Sequence, residues 1–298
     1  MTTACIIVNY NDADTTEDLL KSIENYKALD FIIIVDNCSM DNSYDVLKKH
    51  ESNRVFVLRL EKNEGYGKGN NFGIKYAKKN LQCDIAVIAN PDVKFTERCI
   101  EKIKSTFEKN DDIAVVTAMQ LKPDGTIFTG TAWNIPNIKE YIFSELYVIG
   151  KLCSKRKVKD ENIPNIVDCV SGAFLAIDIE KFLMAKGYDE RIFLYCEETI
   201  LGIKLKKAGF KTLLLTDENY VHYHAKSTKK SIPKAVKRQS LLIKSKMFVL
   251  REYMHASKPE LFIAKIAYKI SLIEEAMKDI VRSLEKRKIE KENSENEE

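Results

Sequence analysis

The sequence predicts an α/β protein: a mostly parallel sheet flanked by helices, followed by a C-terminal helical extension. Two observations carry this. From Cys5 to Ile88, short unbroken apolar runs alternate with segments of helical periodicity, the pattern of a sheet covered on both faces. Beyond Lys229 no strand pattern recurs, and apolar residues return every three or four positions.

Cys5-Ile6-Ile7-Val8 is the first strand, and Thr16–Tyr26 has helical spacing through Leu19, Leu20 and Ile23. Phe31–Val35 is the second strand, followed by the polar turn Asp36–Ser43 and a helix through Val46 and Leu47. Val55–Leu58 is the third strand. A glycine-rich loop, Gly65-Tyr66-Gly67-Lys68-Gly69, then leads into a helix at Phe72–Lys79. Ile85–Ile88 is the fourth strand, ending in the turn Asn90-Pro91-Asp92. Further on, Asp124-Gly125 reads as a hairpin turn, and 130–166 as loop and helix. Val167–Ile177 reads as a strand, Glu180–Lys186 as a short helix, Tyr195–Ala208 as a longer helix stopped by Gly209, and Thr212–Leu215 as a strand. In open α/β sheets ligands bind outside the carboxyl ends of the strands. The turns Asp36–Ser43, Asn63–Asn71 and Asn90–Asp92 all follow strands, so they should open onto one edge.

Composition narrows the function. The 298 residues suit one large domain with an appendage, and 45% apolar content supports a sizeable core. Lys+Arg number 48 against 44 Asp+Glu, a net charge of +4 that excludes a strongly basic nucleic-acid binder. No apolar run reaches bilayer-spanning length, and Met1-Thr2-Thr3 runs into a strand without a basic leader, so neither a spanning helix nor a secretory signal is expected. Seven Cys, an odd number without CxxC pairing, indicate free thiols and a reducing cytoplasm. Charge shifts near Lys229: residues 229–291 hold 17 Lys+Arg against 7 Asp+Glu. The expected division is therefore 1–228, a basic amphipathic extension 229–290, and an acidic frayed tail 291–298. In the extension, Phe262, Ile266, Ile270, Ile273, Met277, Ile280, Val281 and Leu284 form an apolar stripe. It fits either a homodimer contact or a peripheral contact with the inner face of the cell membrane.

Each polar turn has a structural and a chemical reading. Asp36 can accept hydrogen bonds from a ligand, or start an Asx turn. The Asn63–Asn71 segment lacks side-chain bulk, which lets backbone approach a phosphate, but its Gly65-x-Gly67 is not the nicotinamide GxGxxG. Asp92 can hold a hard divalent cation beside substrate phosphates, or be an ordinary turn carboxylate. Glu197-Glu198 can be a general base, or partners of a helix dipole. His222 and His224 alternate onto one strand face and can ligate metal or sit at a polar rim.

Taken in order, these segments resemble the family 2 inverting glycosyltransferases of the GT-A fold, in particular the rhamnosyltransferase-like enzymes of surface polysaccharide synthesis. The residues that carry the likeness are Ile7–Asn11, Val35–Asp41, Asn63–Gly73, Asn90–Val93, Ser171–Phe174, Gly187–Glu190, Tyr195–Glu198 and Val221-His222. The resemblance spans residues 4–228. It implies inverting transfer from a nucleotide-diphosphate sugar (dTDP-rhamnose or UDP-sugar type) to a hydroxyl of a saccharide or lipid-linked acceptor. Asp36 would meet the donor nucleobase beside Asn9, Tyr10 and Asn11. Asn63, Gly65 and Asn71 would lie along the nucleotide and diphosphate, with Asn90 and Pro91 beside them. Asp92 and His222 would hold Mg2+ or Mn2+, and Glu198, or its neighbour Glu197, would be the base. Three departures stand out: Asn90 where relatives carry an Asp, Glu198 in place of a catalytic Asp, and Ile200 where a later acid is common. They keep open a second reading, a non-catalytic nucleotide-sugar-binding or regulatory module of the same fold. No Gln-x-x-Arg-Trp segment is present, which argues against a processive synthase.

Overall fold

The computed structural model describes residues 1–146, 166–223 and 234–295, with side chains to residue 282. They form two compact units, one from residues 1–135 and 166–223, the other from 136–146 and 234–295.

The first unit is built on strands β1 (Thr3–Asn9), β2 (Phe31–Asp36), β3 (Val55–Arg59), β4 (Ile85–Ala89), β5 (Val93–Phe95), β6 (Ile113–Leu121), β7 (Ala132–Trp133), β8 (Ile166–Val167), β9 (Cys169–Val170), β10 (Phe174–Asp178) and β11 (Lys211–His222). The main sheet runs β3-β2-β1-β4-β10-β6-β11-β5, with β8 on β11; β7 and β9 pair separately. β1, β2, β3 and β4 are mutually parallel, β11 is parallel to β6, and β10 is antiparallel to both β4 and β6. The order reverses direction at β1, whose neighbours are β2 and β4, the kind of switch point where such sheets bind ligands. Asn9 stands level with Asp36 across the β1–β2 pair. Because β10 runs the other way, the segment entering it, Ser171–Ala173, arrives at the same edge, where Phe174 faces Ala89.

The period of two sorts the strands' side chains onto two faces. Cys5, Ile7, Ile32, Ile34 and Val87 pack with Leu19, Leu20 and Ile23 of α1 (Ala13–Ile23), Leu47 of α2 (Ser43–Lys48), and Ile100, Ile103 and Phe107 of α4 (Glu97–Lys109). Ala4, Ile6, Ile33, Val35, Ala86 and Ile88 pack with Ile74 and Ala77 of α3 (Tyr66–Leu81), Phe182 of α6 (Ile179–Met184), and Leu201 and Leu205 of α7 (Glu197–Lys207). Burying each Val, Leu, Ile or Phe among them stabilises by roughly 1.5–3 kcal/mol. Cys5, Cys83, Cys99 and Cys169 are buried as small apolar groups.

Three local expectations need correction. The glycine-rich segment is not a loop leading to Phe72, because α3 already begins at Tyr66. Its glycines serve close helix–sheet packing: a Cβ on Gly69 would stand 3.0 Å from Val8 Cγ1, and one on Gly73 2.7 Å from Ile6 Cγ2. The single strand expected over Val167–Ile177 is split into β8, β9 and β10. The strand at Thr212–Leu215 extends to His222, with an irregularity against β6 between Leu215 and Asn219.

The second unit joins α5 (Ile138–Phe143) to α8 (Ala235–Glu252) and α9 (Lys258–Glu295). The boundary expected at 228 therefore leaves out one piece, since α5 belongs with the C-terminal helices. Helical backbone continues to Glu295, into the stretch expected to fray. Among the described residues no helix is long and apolar enough to cross a membrane. At the centre of this unit Lys246, nearly buried, donates to Ser144 Oγ at 2.7 Å and Glu145 Oε1 at 2.8 Å. Its ammonium lies 4.4 Å from the Tyr141 ring centre. Burial alone would raise the Glu145 pKa, but the charge and hydrogen bond of Lys246 outweigh it and hold the carboxyl below its usual 4.5. A depressed carboxyl pKa stabilises the fold above the unfolded value and loses that contribution as pH falls through the folded one. Lys246→Met should therefore destabilise the helical unit by about 3 kcal/mol at neutral pH, since it strands a carboxylate. Denaturation followed by helical circular dichroism checks this, and the deficit should shrink as pH falls below about 4.5.

Candidate active site

The β1–β2 end is a closed polar network. Asn9 Nδ2 donates to Asp36 Oδ1 at 3.0 Å and to Ser39 Oγ at 3.2 Å, while Asn9 Oδ1 accepts from Thr16 Oγ1 at 3.0 Å. Asp36 Oδ2 accepts from Ser39 N–H at 3.0 Å and lies 3.5 Å from Arg59 Nε. Asp36 is 0% exposed, so its charge is spent on shaping the Asp36–Ser39 turn. Asn11, at φ 52°, accepts from Met40 N–H at 2.8 Å through Oδ1, and its own N–H donates to Ser39 Oγ at 2.9 Å. Tyr10 is partly exposed next to it. The half-exposed Arg59 lies over Tyr44, 4.7 Å from the ring centre, and presents positive charge at this edge.

Next to it stands the start of α3. Gly65 has φ 100°, and a Cβ there would fall 2.0 Å from Phe193 O, so glycine is required on both counts. Asn63 Oδ1 accepts from Gly65 N–H at 3.1 Å and shapes the approach. Asn71 faces elsewhere: its Nδ2 donates to Tyr188 O and Glu190 Oε1, both at 3.0 Å, and its Oδ1 accepts from Tyr188 N–H at 3.1 Å. That amide pins the Gly187–Glu190 turn, with both of its N–H groups engaged there.

At the end of β4, Asn90 N–H donates to Ala173 O at 2.8 Å, and Pro91 is buried. Asp92 and His222 are 130 residues apart in the chain, yet Asp92 Oδ1 lies 3.1 Å from His222 Nε2. Pairing of β5 with β11 sets this, placing His222 opposite Val93. Behind the imidazole, Gln120 Nε2 is 3.3 Å from His222 Nδ1, and Gln120 Oε1 accepts from Tyr220 O–H at 2.8 Å. The Gln120 amide thus meets the ring nitrogen that faces away from Asp92 and fixes the orientation of the imidazole. His224 lies outside the described residues.

The carboxylate pair opens α7 from a strained turn, with Tyr195 at φ 72° and Cys196 at φ 71°. Two consecutive left-handed side-chain-bearing residues cost of order 1–3 kcal/mol each and cluster at functional positions. Glu197 is 3% exposed, and its buried Oε1 has no hydrogen-bond partner among the described residues. Burial first, and the adjacent Glu198 second, push its pKa up to about 8. Glu198 is partly exposed, and its Oε1 accepts from Gly172 N–H at 3.3 Å. Burial raises its pKa as well, while the backbone N–H bonds oppose that rise. Tyr66 O–H donates to Gly172 O at 2.6 Å, and burial, then Tyr188 and the two glutamates, keep that phenol protonated.

Ser171-Gly172-Ala173 thus gathers the predicted motifs. Ala173 O holds the Asn90 turn, Gly172 N–H holds Glu198, and Gly172 O holds the first residue of α3. Sequence reasoning quoted this tripeptide but assigned it no task, and it missed Gln120, Tyr220, Tyr66 and Arg59. Arg59, directly after the third strand run, was the one with a readable signal: a cation at a strand end beside a carboxylate turn.

Comparisons with known proteins place the chain in a family and a fold. Residues 4–179 match the model of Glycosyl transferase family 2. Rhamnosyltransferase WbbL of Escherichia coli K12 is 22% identical over 233 residues, 73% of this chain and 82% of that protein. The N-acetylglucosaminyl-diphospho-decaprenol L-rhamnosyltransferase of Mycobacterium tuberculosis is 25% identical over 212 residues, 66% of this chain and 67% of that one. Among solved structures, GalNAc-T7 with UDP, GalNAc and Mn2+ superposes with TM-score 0.60 at 19% identity, over 88% of this chain and 51% of that one. This chain therefore spans about half of GalNAc-T7. The mannosyltransferase PcManGT of Pyrobaculum calidifontis, in complex with GDP-Man and Mn2+, gives TM-score 0.56 at 13% identity, over 89% of this chain and 73% of that one. With a mostly parallel sheet of the GT-A type and more than half its length matched, the chain belongs to glycosyl transferase family 2.

Proposed function

We propose that this protein moves a sugar, with inversion, from a nucleotide-diphosphate sugar of the dTDP-rhamnose or UDP-sugar type to a hydroxyl of a saccharide or lipid-linked acceptor, in surface polysaccharide synthesis. The observation that carries the reading is the Gly172 junction, which ties a partly exposed carboxylate to the turn bearing Asp92 and to the N-terminus of α3. Both rhamnosyltransferase relatives support the choice of donor class.

Asp92 Oδ1 and His222 Nε2 fit a divalent cation: one hard oxygen and one imidazole nitrogen side by side, with diphosphate oxygens to complete the shell. Among the described residues no third His, Cys, Asp or Glu joins them, and diphosphate oxygens of the donor would supply further ligands. A cation there would offset the charge that develops on the departing diphosphate. For Nε2 to bind a cation the ring proton must sit on Nδ1, where the Gln120 amide is placed to partner it.

The acceptor hydroxyl needs a base, and the environments divide the pair. Burial and the like-charged neighbour favour a proton on Glu197, while partial exposure and the Gly172 N–H bond favour Glu198 as the base. Proton removal by Glu198 from the face opposite the leaving group gives a single displacement and inversion.

Transfer of radiolabelled sugar from a panel of dTDP- and UDP-sugars to lipid-linked saccharides tests the proposal; donor binding without release of nucleotide diphosphate would favour the non-catalytic reading. Glu198→Gln should lose ~10²-fold or more in turnover with donor affinity kept, whereas Glu197→Gln, which mimics the protonated form, should keep most activity. Glu197's raised pKa also predicts its effect on stability: the folded state binds the extra proton between about 4.5 and about 8, so stability falls as pH rises through that window. Glu197→Gln removes the slope, so its melting temperature should rise above that of the parent chain as pH climbs from about 4.5, the gap levelling off above about 8. Gly172→Ala puts a Cβ 2.7 Å from Glu198 Oε1 and should lower kcat with little change in donor affinity. Gln120→Leu should weaken Mn2+ binding ~10-fold, measured by electron paramagnetic resonance of the free ion.

A further inference from the structure

Helix α9 carries two apolar faces. One consists of Ala264, Ala267, Tyr268 and Ser271, buried within the helical unit, where Tyr268 O–H donates to Tyr141 O at 3.3 Å. On nearly the opposite side, at 3.6 residues per turn, stand Ile263, Ile266, Ile270, Ile273, Met277 and Ile280, between 43% and 61% exposed. Their spacing alternates strictly between three and four residues, and Leu284 continues it. That is the a/d repeat of a coiled coil, with a period of 3.5 rather than the 3.6 of a helix lying on its own domain. An open groove of about 310 Å³ between α8 and α9, lined in part by Ile243, Met247, Phe262 and Ile266, extends the same surface at its N-terminal end.

The positions flanking the seam choose between occupants. A helix lying on an anionic membrane borders its apolar face with Lys and Arg. Here the e and g positions through residue 281 are Phe262, Ala267, Lys269, Glu274, Ala276 and Val281: one charge of each sign and four apolar residues. Lys269 at g and Glu274 at the following e are of opposite charge, and this is the pair that parallel strands bring together between copies. Packing of the opposite face on α5 and α8 already holds the helix formed, so association need not nucleate it.

We propose that α9 pairs in parallel with the same helix of further copies of this chain, along 263–284, three copies being the number favoured by isoleucine at both a and d. The surface is independent of the transferase reading. Sedimentation equilibrium of the full chain should give a multiple of the 34.2 kDa protomer, falling to one protomer in Ile266→Asp/Ile273→Asp with the helical circular dichroism unchanged. Lys269→Glu should weaken the assembly severalfold, and adding Glu274→Lys should restore it. Met277→Cys, at an a position away from the seam's midpoint, should form an interchain disulfide absent from the parent chain, a readout that does not depend on the aspartate variants folding. A parent chain that sediments as one protomer at micromolar concentration overturns the proposal. So does seam-dependent cosedimentation of single protomers with phosphatidylglycerol vesicles, which would make the face a membrane contact.

Discussion

The hydrogen bond from Gly172 N–H to Glu198, at 3.3 Å, is the constraint around which the site is organised. It exists because β10 runs antiparallel to β4 and so delivers residues 171–173 to the edge where the parallel strands end. A parallel strand in that place would enter from the far edge. The bond needs glycine, since any Cβ would press on the carboxylate it serves. The same peptide unit accepts the Tyr66 hydroxyl, so the position of α3 and that of the carboxylate are set by one group of atoms. A shift of either should be felt by the other.

Two kinds of buried carboxylate occupy this edge, and their surroundings differ. Asp36 is saturated by Asn9 and Ser39, with Arg59 alongside, and serves as the rivet of a turn. Glu197 has a buried oxygen with no partner among the described residues and an adjacent carboxyl, and both raise its pKa. Between these extremes Glu198 keeps some exposure and a single backbone donor, which suits a group that must exchange a proton. The left-handed pair Tyr195–Cys196 holds both glutamates at the helix start, and the surrounding fold absorbs that strain.

The helical unit answers a different physical problem. Its interior is organised by a nearly buried ammonium, Lys246, satisfied by Ser144, Glu145 and two tyrosine rings. Its outer face carries an isoleucine seam that this packing leaves exposed. A helix with one face bound and another still apolar has burial left to gain, and symmetry offers a partner of matching shape.

By itself the sequence determined the α/β class, the first four strands in order, and the polar turns that follow them, because periodicity and strand–turn order are local properties. It also marked Asp92, His222 and the Glu197–Glu198 pair as chemically able groups. The tertiary structure alone decided how they are used. The α3 glycines read as loop because close helix–sheet approach leaves no local trace, and Asn71 read as a ligand contact until its amide met the Gly187–Glu190 turn. Gln120 behind His222, and the different burial of two adjacent glutamates, depend on contacts across as many as 102 residues of chain. Protonation, tautomer and reach are set by those distant neighbours, and no window of sequence contains them.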